Sequence, residues 1–320
     1  MTQASPGTAG AAGPGVDPFG HEGLFYADAA EYLAGTVPFV RNALAADEPV
    51  LVAAPRANLE LIGSALGGAT DGVRFVDMTE AGRNPGRIIP EVLHAFAEQH
   101  AGRRVSVIGE PIWPGRSPAE YRAAVQHESL INLAFAGRAA TILCPYDAAG
   151  LDAAALADAA RTHPVLLDHG IRRPSGGYLD PASLLASFGG PPPEAPDGTH
   201  MLLFDADLRP VRDFVRLNAA TAGLPVAGIV DLLVAVNEVA TNTVSHTASG
   251  AGTVRLWREG GEVVCEIRDS GHIGHPLAGR LPPDPDSQHG RGLLIVNHLC
   301  DLVEIWSAET GTVVRMHVRT

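Results

Sequence analysis

Glu238 and Asn242 lie four positions apart in the run 231–246, DLLVAVNEVATNTVSH. At about 100° per residue, Leu232, Val236, Val239, Ala240, Thr243 and Val244 share one arc of a helix, and Asp231, Glu238, Asn242 and His246 share the opposite one. A carboxylate and an amide one turn apart suit a general base or water-positioning group beside a metal-binding carbonyl oxygen. The same pattern also describes a helix whose polar face only meets water. Two stretches downstream favour chemistry. Asp269-Ser270-Gly271 follows the alternating run 261–268, GEVVCEIR, in which Val263, Cys265 and Ile267 share one face of a strand, so the Asp269 carboxylate sits at that strand's rim. The run 289–296, HGRGLLIV, sets Gly290 and Gly292 just ahead of an apolar helical stretch. Free backbone N–H groups at such a helix N-terminus hold phosphate oxygens.

In this order, E-x-x-x-N on a helix, D-x-G after a strand and G-x-G-L opening a helix resemble the GHKL (Bergerat-fold) ATPases, the histidine-kinase-like ATPase domains. Among them the chain is most similar to the bacterial anti-sigma-factor serine kinases, over about 201–320, with Thr310-Gly311-Thr312 in the turn of a closing hairpin. The resemblance implies ATP and Mg²⁺ as cofactors, Glu238 as catalytic carboxylate and Asn242 as the Mg²⁺ ligand. It implies that Asp269 accepts a hydrogen bond from the adenine amino group, that Gly271 gives the base room, that Gly290, Arg291 and Gly292 meet the phosphates, and that Thr312 lies near the adenine. One departure stands out: where the family often has D-x-G-x-G, position 273 is Ile and Gly274 comes one place late.

The activity so implied is phosphorylation of a serine on an anti-sigma antagonist of the STAS type, by a homodimeric protein that also binds a sigma factor. Phosphoryl transfer needs little covalent chemistry beyond an aligned hydroxyl, the metal and a carboxylate. Two alternatives remain. A non-catalytic ATP-binding or sigma-sequestering module needs only an exposed interface, and Ile273 in the glycine box leaves room for it. A self-phosphorylating histidine kinase needs an exposed His on a helix just ahead of the ATP domain. Gln126-His127-Glu128 is the one similar pair, and a Pro-rich segment stands where that helix belongs.

Elements must hold these residues. A strand at 201–205, a helix at 210–222 with Val211, Phe214, Val215 and Leu217 inward, the 231–246 helix, a hairpin of 253–257 with 262–268, a helix at 293–300 and strands at 303–308 and 313–318 make an antiparallel sheet backed by helices on one face. The polar, Pro-rich stretch 272–289 suits a mobile lid. The expected class here is α+β, a GHKL two-layer sandwich.

Upstream, helices at 29–46, 58–66, 88–99, 118–136 and 152–161 alternate with strands at 49–54, 73–78, 104–108, 139–145 and 165–167. Such alternation demands crossovers and a mainly parallel α/β sheet. The phosphate loop G-x-x-x-x-G-K-[ST] is absent. The order of elements, with His21, the long 118–136 helix, the Cys144-Pro145-Tyr146-Asp147 run and His163-Pro164, resembles the MEDS sensory domain over about 21–188. The resemblance implies a RecA-like fold without a P-loop, used as a sensor, and makes His21, Cys144, Tyr146 and His163 candidate contacts for a small-molecule effector. Each has a plainer reading: a buried Cys is most often a small hydrophobe, and His-Pro commonly closes a helix. A metal is not expected among them, since no pair sits at ligand spacing.

The expected organisation is a tail at 1–19, a sensory domain at 20–188, a Pro/Gly linker at 189–199 and an ATPase domain at 200–320. A formal net charge of −13 without a Lys/Arg cluster argues against a nucleic-acid partner. Three scattered cysteines, the lack of an apolar run of about 18 residues and the lack of a basic-then-apolar N-terminus lead us to expect a reduced, cytoplasmic protein with no membrane partner.

Overall fold

Two sheets organise the chain. The structure, a computed structural model, describes residues 18–68, 70–187, 190–281 and 290–320. The first sheet runs in the order β3-β2-β4-β5-β1-β6-β7, from β1 (Phe19–Tyr26), β2 (Val50–Ala54), β3 (Val73–Asp77), β4 (Val105–Gly109), β5 (Ala140–Asp147), β6 (Val165–Asp168) and β7 (Ile171–Pro174). All its pairings are parallel except β6 with β7. β2 and β4 are buried along their whole length, as continuous apolar strands with helices on both faces must be. β1 escapes the sequence reading because Gly20, Glu22 and Gly23 interrupt its apolar character, yet it lies centrally, between β5 and β6. Gly23 packs tightly there: a Cβ on it would stand 3.1 Å from Leu166 Cδ2 and 3.2 Å from His163 Cγ.

The second sheet is antiparallel, ordered β11-β12-β10-β9-β8, from β8 (His200–Phe204), β9 (Gly252–Glu259), β10 (Glu262–Asp269), β11 (Leu302–Ala308) and β12 (Gly311–Arg319). Helices Arg209–Thr221, Val226–His246 and Gly292–Leu299 cover one face, where Val263, Cys265 and Ile267 pack with Val211, Val215, Leu232, Val236 and Val239. Leu217, expected inward, is 68% exposed, because two positions beyond Val215 carry it round to the far side of the helix. Helix Val226–His246 is long and apolar enough to cross a membrane by length and composition, but Leu232, Ala235, Val236, Val239 and Ala240 are spent on this core.

The other face of the second sheet is not open. Glu266 is fully buried and holds Arg315 at 2.6 Å, while Arg315 also donates to the Pro193 carbonyl and Arg268 donates to Glu194 at 2.7 Å. Residues 193 and 194, expected within a semi-extended spacer, are thus tied to the sheet. Further along this face Glu304 takes Arg122, from helix Pro118–Ala134 of the first half, at 2.6 Å.

Candidate functional site

Glu238 and Asn242 project from helix Val226–His246 toward the start of helix Gly292–Leu299. A Cβ on Gly292 would stand 2.9 Å from Glu238 Oε2 and 3.4 Å from Asn242 Nδ2, so a side chain there would displace the Glu238 carboxylate from its place against the helix start. Beside it opens a cavity of about 590 Å³, walled by Asn242, Asp269, Gly271, Gly290, Gly292 and Thr312 together with apolar Val239, Leu293 and Val314. Its size and its few polar groups in an apolar wall suit a small organic ligand. The Glu238 side chain is half-buried beside Gly292 and is not part of that wall, nor is exposed Arg291. His289 lies outside the described residues.

Asp269 ends β10 with both carboxylate oxygens engaged. Oδ2 accepts the Thr243 hydroxyl at 2.6 Å and Oδ1 accepts the Gly271 N–H at 2.8 Å. A carboxylate has about four lone-pair sites, so it still has capacity for a donor from the cavity. Thr312 donates to the Gly271 carbonyl at 2.9 Å, and Ser307 meets both Thr312 Oγ1 at 2.7 Å and the Ile273 N–H at 2.8 Å. The rim loop is thereby pinned to β11 and β12. Gly311 closes that hairpin at φ 141°, where a Cβ would stand 2.5 Å from the Asp269 carbonyl oxygen. Thr243 and Ser307 were missed from sequence: periodicity reads Thr243 as core, which it is, and is blind to its hydroxyl.

The expected mobile lid is described only in part, since 282–289 lie outside the described residues. The described part, 272–281, is anchored. Leu277 is buried, the Gly279 carbonyl accepts Asn297 Nδ2 at 3.1 Å, and Arg280, 2% exposed, donates to Gln126 Oε1 at 3.3 Å. Burial brings the Arg280 guanidinium down to about 10.

In the first half, His21, Cys144, Tyr146 and His163 are all buried and adjacent. The His21 and His163 rings are 4.1 Å apart, and the Tyr146 ring is 5.5 Å from His163. Glu128, which sequence reasoning met only as part of a His-Glu pair, joins them: its Oε2 lies 3.2 Å from His21 Nε2 and 3.1 Å from His163 Nε2. Ligand spacing along the chain, from which no metal was expected, does not reveal that these four donors meet, and the reason is topological. Positions 21, 128, 144 and 163 have no common spacing, and β1 lying beside β5 and β6 brings them together.

Residues 20–164 match the MEDS sensory domain (MEthanogen/methylotroph, DcmR Sensory domain), and residues 204–318 match the histidine kinase-like ATPase domain. The chain is a MEDS domain followed by a histidine kinase-like ATPase domain. Among solved structures, the RsbU and RsbW domains of Rv1364c from Mycobacterium tuberculosis are similar at 22% identity, covering 39% of this chain and 33% of that one with a TM-score of 0.30. The match spans about a third of that protein. Comparison with curated proteins gave no match.

The MEDS domain grips the ATPase domain at helix Gly292–Leu299. Arg87 donates to the carbonyls of Asn297 and Cys300 at 2.7 and 2.6 Å, and Asn84, fully buried, donates to the Asn297 carbonyl at 2.9 Å. These groups cap the last carbonyls of a helix whose first turn borders the cavity, and the Arg87 cation complements its dipole. Arg83 adds an ion pair to Asp301 at 3.2 Å.

Proposed function

We propose that this chain is an ATP-binding anti-sigma regulatory factor that binds a sigma factor and phosphorylates a serine of a STAS-type antagonist, with the MEDS domain biasing it in response to a small molecule. The observation that carries the reading is the gathering of Asn242, Asp269, Gly271, Gly292 and Thr312 around one cavity, with Glu238 at its edge. A histidine kinase-like ATPase domain makes ATP the ligand to expect there. The residues fit a magnesium nucleotide: the Gly292 position is a cradle that a Cβ would fill, Asn242 offers a carbonyl oxygen of the kind Mg²⁺ accepts, and the anchored Asp269 carboxylate suits an exocyclic amine. Bound Mg²⁺·ATP supplies the transferable phosphoryl group and neutralises its charge.

The chain's own groups do the rest. Asp269, with Gly271 close by, holds the base; Thr312 borders it; the N–H groups around Gly290, Arg291 and Gly292 receive phosphate oxygens; Asn242 holds the metal. Glu238 takes the proton of the incoming serine hydroxyl. An apolar strip supports a protein partner: Val226, Val230 and Val234, one turn apart on the outer side of their helix, are 79%, 53% and 43% exposed. The caps that Asn84 and Arg87 place on helix Gly292–Leu299 support the sensory bias.

Glu238→Ala should abolish γ-phosphate transfer to a purified antagonist while calorimetry still registers ATP uptake. Equal loss of both would count against the role given to Glu238. A second reading, a sequestering module that binds ATP without transferring phosphate, is favoured by Glu238 lying outside the cavity wall and by Ile273 in the glycine box. It gains if ATP binds and no antagonist is labelled. Self-phosphorylation on His127 is disfavoured, since that ring is 1% exposed.

A further inference from the structure

Four side chains from distant parts of the MEDS domain meet at one point. His21 comes from β1, Cys144 from the adjoining β5, Glu128 from helix Pro118–Ala134, and His163 from the end of helix Ala153–Thr162. Their ligating atoms all lie within 4.8 Å of one another, and none of the four residues is more than 2% exposed.

Both imidazoles are oriented from behind. His163 Nδ1 lies 2.8 Å from the Ala159 carbonyl, which can only accept, so that nitrogen carries a proton. His21 Nδ1 lies 3.1 Å from Asn132 Oδ1, and the Asn132 amide is fixed by its Nδ2 donating to the Thr162 carbonyl at 2.8 Å. Each ring therefore turns its Nε2 inward, where His21 Nε2 meets Cys144 Sγ at 3.4 Å. Opposite those nitrogens stands a carboxylate. Neither Glu128 oxygen nor His163 Nε2 has a hydrogen-bond partner of good geometry among the described residues. Acceptors facing acceptors in a dry core are costly unless a cation lies among them.

We propose that His21 Nε2, Glu128, Cys144 Sγ and His163 Nε2 form a tetrahedral binding site for a divalent metal ion of the zinc type. Bonds of about 2.0–2.1 Å to nitrogen or oxygen and about 2.3 Å to sulfur place tetrahedral ligand atoms roughly 3.3–3.6 Å apart. Of the six separations here, three are 3.2 Å and 3.1 Å from Glu128 to the two imidazoles and 3.4 Å from Cys144 to His21, and the others lie within 4.8 Å. Two imidazoles, a thiolate and a carboxylate form a borderline-soft set that suits Zn²⁺ and not Mg²⁺ or Ca²⁺, which take oxygen. Thiolate and carboxylate together balance the charge of a divalent ion. Sulfur ligates as the thiolate, so metal uptake at Cys144 releases one proton. Asn132 and the Ala159 carbonyl are the outer partners that ligating histidines usually have.

The test uses the untagged full chain, loaded with Zn²⁺ or Co²⁺ and dialysed against metal-free buffer. About one metal per chain should remain, and the Co²⁺ form should show a thiolate-to-cobalt charge-transfer band with strong visible bands of a four-coordinate ion. The C265A/C300A chain should keep that band, while Cys144→Ser should lose it and Glu128→Gln should retain less metal. Should Cys144→Ser fail to fold, the C265A/C300A chain decides alone. No retained metal, no charge-transfer band in the unsubstituted chain, or a band that disappears with Cys265 and Cys300 would each overturn the site.

Discussion

Thr243 donates its hydroxyl to Asp269 Oδ2 at 2.6 Å, joining the last turn of helix Val226–His246 to the end of β10 in the ATPase domain. Thr243 is itself buried, so its hydroxyl holds the carboxylate from the protein side and leaves the other side to the cavity. Thr243→Val keeps the shape and removes that donor. A partly buried carboxylate oxygen left without it costs about 1–3 kcal/mol. ATP affinity measured by calorimetry should fall about tenfold, which is what 1.4 kcal/mol corresponds to. Unchanged affinity would mean that Asp269 does not read the nucleotide.

Gly292→Ala brings a methyl group to 2.9 Å from Glu238 Oε2 and 3.4 Å from Asn242 Nδ2. The helix start must back away or the Glu238 carboxylate must turn. Phosphate transfer should drop more than the melting temperature does, with a stability cost of about 1–3 kcal/mol for the overpacking. A variant with normal transfer kinetics would show that Glu238 and Asn242 act independently of this approach.

Arg87→Ala removes two charge-assisted hydrogen bonds from the carbonyls of Asn297 and Cys300. Each such bond is worth roughly 1.5–3 kcal/mol. The two domains should then unfold in separate steps in urea, where the wild type unfolds in one. ATP affinity should weaken as well, because the cap and the cavity belong to the same helix.

Glu110, at the end of β4, accepts hydrogen bonds from Asn58, Tyr26 and Tyr32, yet burial raises its carboxyl to about 7 from an ordinary 4.5. The folded chain thus keeps a proton that the unfolded chain gives up between those two values. The resulting stabilisation is full below pH about 4.5 and is lost as the pH rises through about 7, amounting to roughly 3 kcal/mol at 1.36 kcal/mol per pKa unit. Glu110→Gln cannot ionise, so the stability difference between wild type and variant should shrink by about that much from pH 5 to pH 8 in urea titrations. A constant difference would place the ionised form in the folded state throughout.

That Asn242, Asp269, Gly271, Gly290, Gly292 and Thr312 would gather was legible because the signals are local. E-x-x-x-N, D-x-G and G-x-G each span a few residues, and the period of the surrounding strands and helices fixes which way they face. Thr243 and Ser307 were not legible, since a hydroxyl on a core-facing residue looks like part of the core until its partner is known. In the MEDS domain the parallel sheet followed from the alternation of helices and strands. β1 did not, because Gly23 serves close packing against Leu166 and His163 that exists only once the strands are ordered. Glu128 was hidden for the same reason: fold topology, not distance along the chain, sets which donors meet.

Helix Pro118–Ala134 carries Gln126 and Glu128 on opposite sides, about 200° apart around its axis. Gln126 touches Arg280, beside the cavity of the ATPase domain, and Glu128 reaches into the interior of the MEDS domain. One helix thus touches both the buried cluster of the MEDS domain and the residues beside the cavity of the ATPase domain, so the two regions are joined through a single element with nothing interposed.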